Sequence, residues 1–272
     1  MAKRVFSSVV LWSLVLLCLR FLHATGAVWL IAVLGVLTLH EYYAMLRQMG
    51  LRPFVRLGLA VGAAILLAPR YFSPAVSAAE VLALGVLVVA VRILAERSPA
   101  ERVDTLVWTV FGLVYVPFML QFLVRIVLLP GPDAATGLVL GLWLILVAKL
   151  CDTGALLTGL AIGRHKLAPD ISPKKTWEGV AGGVALAVAA GAAFAWLCRA
   201  DLPARFTPGF AAGLAVPLAV LAVISDLVES AIKRRAGAKD TGGAIPGIGG
   251  VFDLTDSLIL TAPVGWAVFH LL

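Results

Sequence analysis

Four long stretches of this chain contain no Asp, Glu, Lys or Arg, and they constrain its fold more than any other feature. They cover residues 21–39, 105–124, 179–198 and 206–225, and each has a charged residue just beyond both ends. A helix of about 20 apolar residues is long enough to cross the hydrocarbon core of a bilayer. The four stretches therefore predict helices that span a membrane.

The composition agrees with a chain embedded in lipid. Hydrophobic residues make up 61% of the chain and charged residues 14%, with a mean hydropathy of +1.02. Soluble domains carry about 25% charged residues, so this chain lacks the polar surface to cover a soluble fold. An ordinary soluble protein, a secreted disulfide scaffold and a disordered chain are excluded. The net charge of +7 fits basic loops beside anionic headgroups better than nucleic-acid binding.

Shorter or charge-interrupted apolar segments bring the predicted number of spans to nine. They cover residues 5–19, 57–68, 76–94, 137–162 and 257–272. Nothing alternates like the strands of an outer-membrane barrel, so the predicted fold is all-α, a polytopic integral membrane helix bundle. We expect a single transmembrane domain over residues 1–272, with N-terminal spans in 1–130 and the motif-bearing spans and loops in 137–272.

Basic residues divide unequally between the two sides of the predicted bundle. Sixteen Lys and Arg residues fall in the N-terminus and in the alternate connections on its side, against five on the other side. Because positive residues accumulate in cytoplasmic loops, the N-terminus is expected in the cytoplasm and the C-terminus outside. The predicted location is the cell's inner (plasma) membrane, with the active site facing the cytoplasm.

Ionisable residues at membrane depth concentrate in the C-terminal half. They are Lys149 and Asp152 in the sixth span, which share a helix face with Thr153, and Asp226, Glu229 and Lys233 in the eighth, which share a stripe with Ser230. Each charged group costs at least ~2.5–3.5 kcal/mol if it faces lipid, so these residues are functional candidates. The structural alternatives are a buried ion pair between two helices and a helix end that extends its charges to the headgroups.

Two polar loops accompany these residues. Residues 239–257 contain five glycines and one proline, and they lead into a last helix that begins with Asp253, Asp256 and Ser257. Residues 163–179 combine basic side chains with hydroxyls before a helix. Glycine-rich backbone and helix N-termini bind anions, whereas helix capping and basic loops explain only part of these patterns. Hard carboxylates beside cations indicate Mg²⁺ chemistry on a phosphorylated substrate.

Residues 230–256 resemble the motif of the phosphatidate cytidylyltransferases, or CDP-diacylglycerol synthases. That motif reads S-x-x-K-R, four residues, K-D, then P-G-H-G-G, two residues and D-R-x-D. The matching residues are Ser230, Lys233, Arg234, Lys239, Asp240, Pro246, Gly247, Gly249, Gly250, Asp253 and Asp256. Ile248 and Leu254 replace the motif's histidine and arginine. Residues 152–155, 163–169 and 172–179 resemble companion motifs, and residues 40–43 carry a weaker likeness.

The resemblance implies transfer of CMP from CTP to phosphatidate, which gives CDP-diacylglycerol and pyrophosphate for phospholipid biosynthesis. It implies Asp226 and Asp253 as ligands of a divalent cation, Mg²⁺. The other implied catalytic residues are Lys233, Arg234, Lys239, Asp240 and Asp256. The implied substrate-binding residues are Asp152, Ser172, Lys174, Lys175, Thr176, Ser230, Gly249 and Gly250. The implied partners are CTP, phosphatidate and the lipid bilayer, and nucleic acid is not expected as a partner. Whether the chain forms a homodimer is left open.

Two other functions are compatible with these patterns. Another CTP-dependent lipid enzyme, such as a polyprenol kinase, would leave a single phosphate rather than CMP on its product. An ion-coupled secondary transporter would use the same buried charges for ions, but it should show inverted repeats with broken helices in both halves. The charged motifs of this chain lie in one half, which argues against a transporter.

Overall fold

The computed structural model describes the backbone of this chain except at residues 1, 74, 96–98, 239–240 and 243–249, and it describes no side chains for residues 2–22 and 99–101. The helices in the described ranges are α1 (Ala2–Gln48), α2 (Val55–Tyr71), α3 (Ala78–Leu94), α4 (Pro99–Leu113), α5 (Met119–Val127), α6 (Thr136–Ile162), α7 (Trp177–Leu197), α8 (Pro208–Arg235) and α9 (Phe252–Phe269). A π-helical turn, Val114–Phe118, joins α4 to α5. Two strands, β1 (Lys166–Ala168) and β2 (Ser172–Thr176), form an antiparallel hairpin between α6 and α7.

Five helical segments in the described ranges are long and apolar enough to cross a membrane. They are His23–Gln48, Arg102–Val127, Thr136–Ile162, Trp177–Leu197 and Pro208–Arg235. These segments coincide with five of the predicted spans, which confirms the all-α polytopic membrane fold. Helices also cover most of the other four predicted segments, but α2 and α3 have only 17 residues each. The predicted count of nine spans is therefore not confirmed.

The first helix contains a break near its middle. His23 has non-helical backbone dihedrals, with φ 48° and ψ −135°, so α1 consists of two helical segments that meet there. A positive φ is uncommon for a residue other than glycine. The break lies close to residue 20, where the sequence pattern separates the first two predicted spans.

The chain divides into two compact units. Unit 1 comprises Met1–Val124 and Lys233–Thr255, and unit 2 comprises Arg125–Ile232 and Asp256–Leu272. The divisions fall inside α5, α8 and α9, so each of these helices contributes residues to both units. The single domain expected over residues 1–272 stays a prediction.

In unit 2, glycines allow α6 and α7 to pack closely. A Cβ atom on Gly183 would lie 2.5 Å from the carbonyl oxygen of Cys151, and one on Gly154 would lie 3.0 Å from the Cα of Gly183. Farther along, the buried Trp143 donates its indole N–H to the carbonyl of Gly191 at 2.9 Å. Small residues allow helix backbones to approach in lipid, where close packing replaces the hydrophobic effect. This packing fixes α6, which carries Lys149 and Asp152.

We expect Gly183→Ala to destabilise unit 2 by about 1–3 kcal/mol, because the added methyl group meets backbone atoms that cannot rotate away. Gly213→Ala is the matched control, since a Cβ atom at Gly213 has nothing within 4 Å. The control should be neutral or slightly stabilising, because alanine favours helix over glycine. Thermal unfolding in detergent measures both variants, and an equal Tm for the two would contradict the close packing.

In unit 1, two buried tyrosines set the position of the neighbouring Glu41. The hydroxyl of Tyr43 donates to the carbonyl of Thr109 at 3.0 Å, which joins α1 to α4. The ring of Tyr42 meets the ring of Phe252 edge-on, with centroids 6.5 Å apart. Both tyrosines are fully buried. The start of α9 therefore packs directly against the segment of α1 that carries Glu41.

Candidate active site

Three carboxylates converge in unit 2 and form what we term the carboxylate cluster. Asp226 and Glu229 lie one turn apart on α8, and Asp256 comes from α9. One oxygen from each carboxylate lies within 4.8 Å of the other two. Glu229 is fully buried and Asp256 is 6% exposed. The hydroxyl of Ser225 donates to the carbonyl of Asp256, which ties the two helices together at the cluster.

Two lysines bring positive charge to the carboxylate cluster. The Nζ of Lys149 on α6 lies 3.6 Å from Oδ1 of Asp256 and 3.7 Å from Oδ2 of Asp152. The same ammonium group donates to Oγ of Ser257 at 2.7 Å. Lys175 on β2 forms an ion pair with Asp226. Residues of α6, β2, α8 and α9 thus meet at one charged site within unit 2.

The donor set of the carboxylate cluster fits a hard divalent cation. Mg²⁺ binds carboxylate oxygens and keeps several of its waters, so it needs only a few protein ligands. Three carboxylates at this separation repel one another, and the two lysine contacts named above offset part of that repulsion. Burial strengthens the remaining repulsion, because charges interact more strongly away from water. A divalent cation would relieve it.

A second polar cluster lies in unit 1, around Asp253 at the start of α9. Lys233 donates from Nζ to Oδ1 of Asp253 at 2.8 Å. The other carboxylate oxygen accepts from the hydroxyl of Thr241 and from the N–H of Gly250, both at 2.9 Å. Charge-assisted hydrogen bonds of this kind are stronger than neutral ones. Asp253 is therefore held in a defined orientation at a helix N-terminus, where negative charge is favoured.

Glu41 joins this second cluster, and the sequence analysis did not assign it to the site. Its Oε2 accepts from the N–H of Phe252 at 2.8 Å and lies 3.2 Å from the hydroxyl of Thr241. Because that hydroxyl has one hydrogen, it can donate to Glu41 or to Asp253, but not to both at once. A Cβ atom on Gly242 would lie 2.8 Å from Oε1 of Glu41, so a larger residue there would displace the Glu41 carboxylate. The one sequence signal was the weak likeness at residues 40–43.

The structure also places the other residues that the sequence predicted. Thr176 is 5% exposed, and its hydroxyl accepts from the N–H of Gly179 at 3.1 Å as the cap of α7. Ser230 is buried on α8, whereas Lys174 is exposed on β2. The predicted residues Lys239, Asp240 and Gly249 lie outside the described part of the chain. Ser172 lies on β2, Gly250 belongs to the Asp253 cluster, and Arg234 is exposed near the end of α8.

The two predicted metal ligands, Asp226 and Asp253, each have close polar neighbours in the structure. Asp226 lies in unit 2 with Glu229 and Asp256, whereas Asp253 lies in unit 1 with Lys233. The sharing of one cation between Asp226 and Asp253 stays a prediction. Glu229 was noted on the charged stripe of α8 but was not assigned a role, although its helical spacing from Asp226 already indicated a common face.

Comparisons with known proteins agree with the sequence motif. The sequence model of the Cytidylyltransferase family matches residues 2–272. A phosphatidate cytidylyltransferase of Mycobacterium bovis is 34% identical over 175 residues, which cover 64% of this chain and 54% of that protein. One from Haemophilus influenzae is 40% identical over 132 residues, 48% of this chain and 46% of the relative. One from Brucella suis is 40% identical over 160 residues, 57% of this chain and 54% of the relative. The chain spans about half the length of these curated relatives.

Proposed function

Because the chain belongs to the cytidylyltransferase family, we propose that it transfers CMP from CTP to phosphatidate and forms CDP-diacylglycerol and pyrophosphate. The observation that carries the proposal is the carboxylate cluster with its two lysines, in a chain whose relatives are named phosphatidate cytidylyltransferases. A site that combines hard carboxylates with cations suits a substrate rich in phosphate.

In the proposed reaction, an oxygen of the phosphatidate phosphate attacks the α-phosphorus of CTP. A new P–O bond forms, the bond from that phosphorus to the bridging oxygen of the β-phosphate breaks, and pyrophosphate leaves with the bonding electrons. Transfers of this kind need little covalent chemistry from the protein, because positioning and charge stabilisation lower the barrier. The cations of the site would hold two anionic substrates together despite their mutual repulsion.

We assign a divalent cation, Mg²⁺, to Asp226, Glu229 and Asp256. When bound, the cation would neutralise negative charge on the phosphate groups of the substrates. Lys149 and Lys175 hold Asp256 and Asp226 in place through the contacts described above. This assignment is supported by the separation and burial of the three carboxylates.

In the Asp253 cluster, Lys233 would bind and orient phosphate groups. Lys233 is 14% exposed at its side chain and pairs with Asp253, so its ammonium group has a fixed position. Arg234 on the same helix, together with Lys239, would neutralise further phosphate charge. Lys174 and Ser172 of the hairpin stay candidates for contact with the nucleotide. Asp152 stays a candidate for organising the site, since it pairs with Lys149.

Pyrophosphate release tests the proposed reaction. Purified protein in detergent is supplied with CTP and Mg²⁺, and pyrophosphate is measured with and without phosphatidate. We expect release only when phosphatidate is present, in step with its consumption. Appearance of CDP, or consumption of CTP with a polyprenol in place of phosphatidate, would identify a kinase and contradict the proposal.

Glu41→Ala should lower kcat/KM for CTP about ten- to hundred-fold, because the N–H of Phe252 and the hydroxyl of Thr241 lose an acceptor beside Asp253. Glu41→Gln keeps an acceptor oxygen and should lose less. Asp104→Asn is the matched control, an exposed carboxylate of the same unit, and it should stay within twofold of the parent chain. Steady-state kinetics measure all three, and equal losses in the Glu41→Ala and Asp104→Asn variants would contradict the role of Glu41.

The membrane helices make this a multi-pass membrane protein. We place it in the inner membrane with its active site facing the cytoplasm, on the support of the unequal distribution of basic residues. The lipid bilayer is thus one partner, CTP and phosphatidate are the proposed substrates, and a homodimer stays a prediction. The mass of the purified protein in detergent tests the homodimer.

Cysteine labelling tests the orientation. On a background in which Cys18, Cys151 and Cys198 are replaced by serine, a cysteine at Lys174 should react with a membrane-impermeant reagent only from the cytoplasmic side. A cysteine at Arg70 should react only from the opposite side. Both positions are exposed, so failure to label would not follow from burial. Labelling of both cysteines from one side would contradict the proposed topology.

A further inference from the structure

A cleft of about 660 Å³ in unit 1 is rich in arginine and distinct from the candidate active site. Four arginines line it: Arg47 near the end of α1, Arg52 of the connection, Arg56 at the start of α2 and Arg92 of α3. The other lining residues are Pro53, Phe54, Val55, Leu57 and Val88. Among these described lining residues, four are arginines and none is acidic. From the sequence alone, these arginines count only as loop charges that set the orientation of the chain.

One arginine of this arginine cleft occupies an unfavourable place. Arg56 is the second residue of α2, whose N-terminus carries a partial positive charge. The first turn of α2 contains no acidic residue, and Phe54 provides no side-chain cap. Arg47 and Arg92, by contrast, lie in the last turns of their helices, where cations are favoured. An anion in the cleft would stabilise Arg56 and could accept hydrogen bonds from the first turn of α2.

The other walls of the arginine cleft are apolar. The guanidinium group of Arg92 lies 5.1 Å from the centroid of the Phe54 ring, which orders the cation against an apolar surface. Val88 is 47% exposed and belongs to a face of α3 whose large apolar side chains are exposed. That face consists of Leu84, Leu87, Val88, Val91 and Leu94. In a membrane protein such a face suits contact with acyl chains, so the cleft adjoins a surface for lipid.

We propose that the arginine cleft binds an anionic phospholipid, with the lipid phosphate at the arginines and the acyl chains along the exposed face of α3. Free phosphate would use the same cations, but it would leave the apolar walls and the exposed face of α3 without a ligand. A zwitterionic lipid would bring its own cation to a site that already has four arginines. The proposal concerns unit 1 alone and does not depend on the proposed transfer of CMP.

Binding of dioctanoyl phosphatidylglycerol to the purified protein tests the proposal. This lipid is anionic but is not the proposed acceptor of CMP, and the variants below assign its binding to the cleft. Arg56→Gln should weaken binding about tenfold, as expected for loss of one charge-assisted contact to phosphate. Arg56→Lys keeps the charge and should retain most of the affinity. Arg102→Gln is the matched control, since Arg102 lies in unit 1 but outside the cleft, and it should change affinity less than twofold.

Dioctanoyl phosphatidylcholine and inorganic phosphate are titrated in parallel. We expect both to bind at least about tenfold more weakly than phosphatidylglycerol. Equal weakening by Arg56→Gln and Arg102→Gln would show that general surface charge attracts the lipid, and it would overturn the proposal. Phosphate binding as tight as that of the lipid would identify a free-anion site instead, which also overturns it. If Arg56→Gln lowers the Tm, Arg52→Gln provides a second variant with the same expected loss.

Discussion

Replacing Asp226 with asparagine should reduce the rate of CMP transfer at least about a thousand-fold while the protein stays folded. The amide keeps the shape of the side chain but binds Mg²⁺ poorly, so the phosphates lose the neutralising charge assigned to the carboxylate cluster. Asp256→Asn and Glu229→Gln should behave alike. Because the three residues act as one unit, a double variant should be little worse than either single variant.

The stability of these variants separates a metal site from a structural one. Three close carboxylates repel one another when no metal is bound, so Glu229→Gln should leave the Tm in metal-free buffer unchanged or raise it. Asp170→Asn, an exposed carboxylate in the turn of the hairpin, is the matched control and should leave both rate and Tm unchanged. A rate within tenfold of the parent chain for Asp226→Asn would contradict the assignment of the metal.

Lys233→Met should lower kcat/KM about a hundred-fold. The substitution removes a cation assigned to phosphate and leaves Asp253 without the ammonium group 2.8 Å from its Oδ1. Lys233→Arg retains the charge and should lose less than about tenfold, because only the position of the charge changes. Steady-state kinetics with CTP varied measure both variants.

Arg235→Met is the matched control for Lys233→Met, since it removes a cation from the same helix end. Arg235 is exposed, and its guanidinium lies 5.8 Å from the centroid of the Trp108 ring. We expect a loss of less than twofold. A similar loss for both variants would show that the helix end contributes only general positive charge, against the specific role given to Lys233.

The helices could be predicted from the sequence because the length and hydrophobicity of an apolar run by themselves indicate a membrane span. The hairpin of β1 and β2 could not, because β1 has only three residues, whereas β2 is polar and contains Pro173. The two strands pair with residue 166 opposite residue 176, and no alternation of polar and apolar residues within either strand indicates this pairing. From the sequence this segment was expected to be a polar loop that binds an anion, and the placement of Lys175 against Asp226 required the structure.

In the candidate site, too, some features could be predicted from the sequence and others could not. The common face of Asp226 and Glu229 follows from helix periodicity. The approach of Asp256 depends on how α8 and α9 pack, which the contact from Ser225 fixes. Glu41 is 211 positions from Phe252, whose N–H it accepts, so no local pattern could join them. Local spacing indicated which helix faces matter, and tertiary packing decided which carboxylates share a cluster.

The position of two labels in CTP tests the central claim most directly. Purified protein with phosphatidate and Mg²⁺ receives CTP labelled in the cytosine ring or, separately, at the γ-phosphate, and the lipid fraction is extracted. Transfer of CMP predicts that the ring label enters the lipid while the γ-label leaves as pyrophosphate, and that Asp226→Asn abolishes the lipid label. A γ-labelled lipid without ring label, or no labelled lipid from the folded parent protein, would contradict the proposed activity.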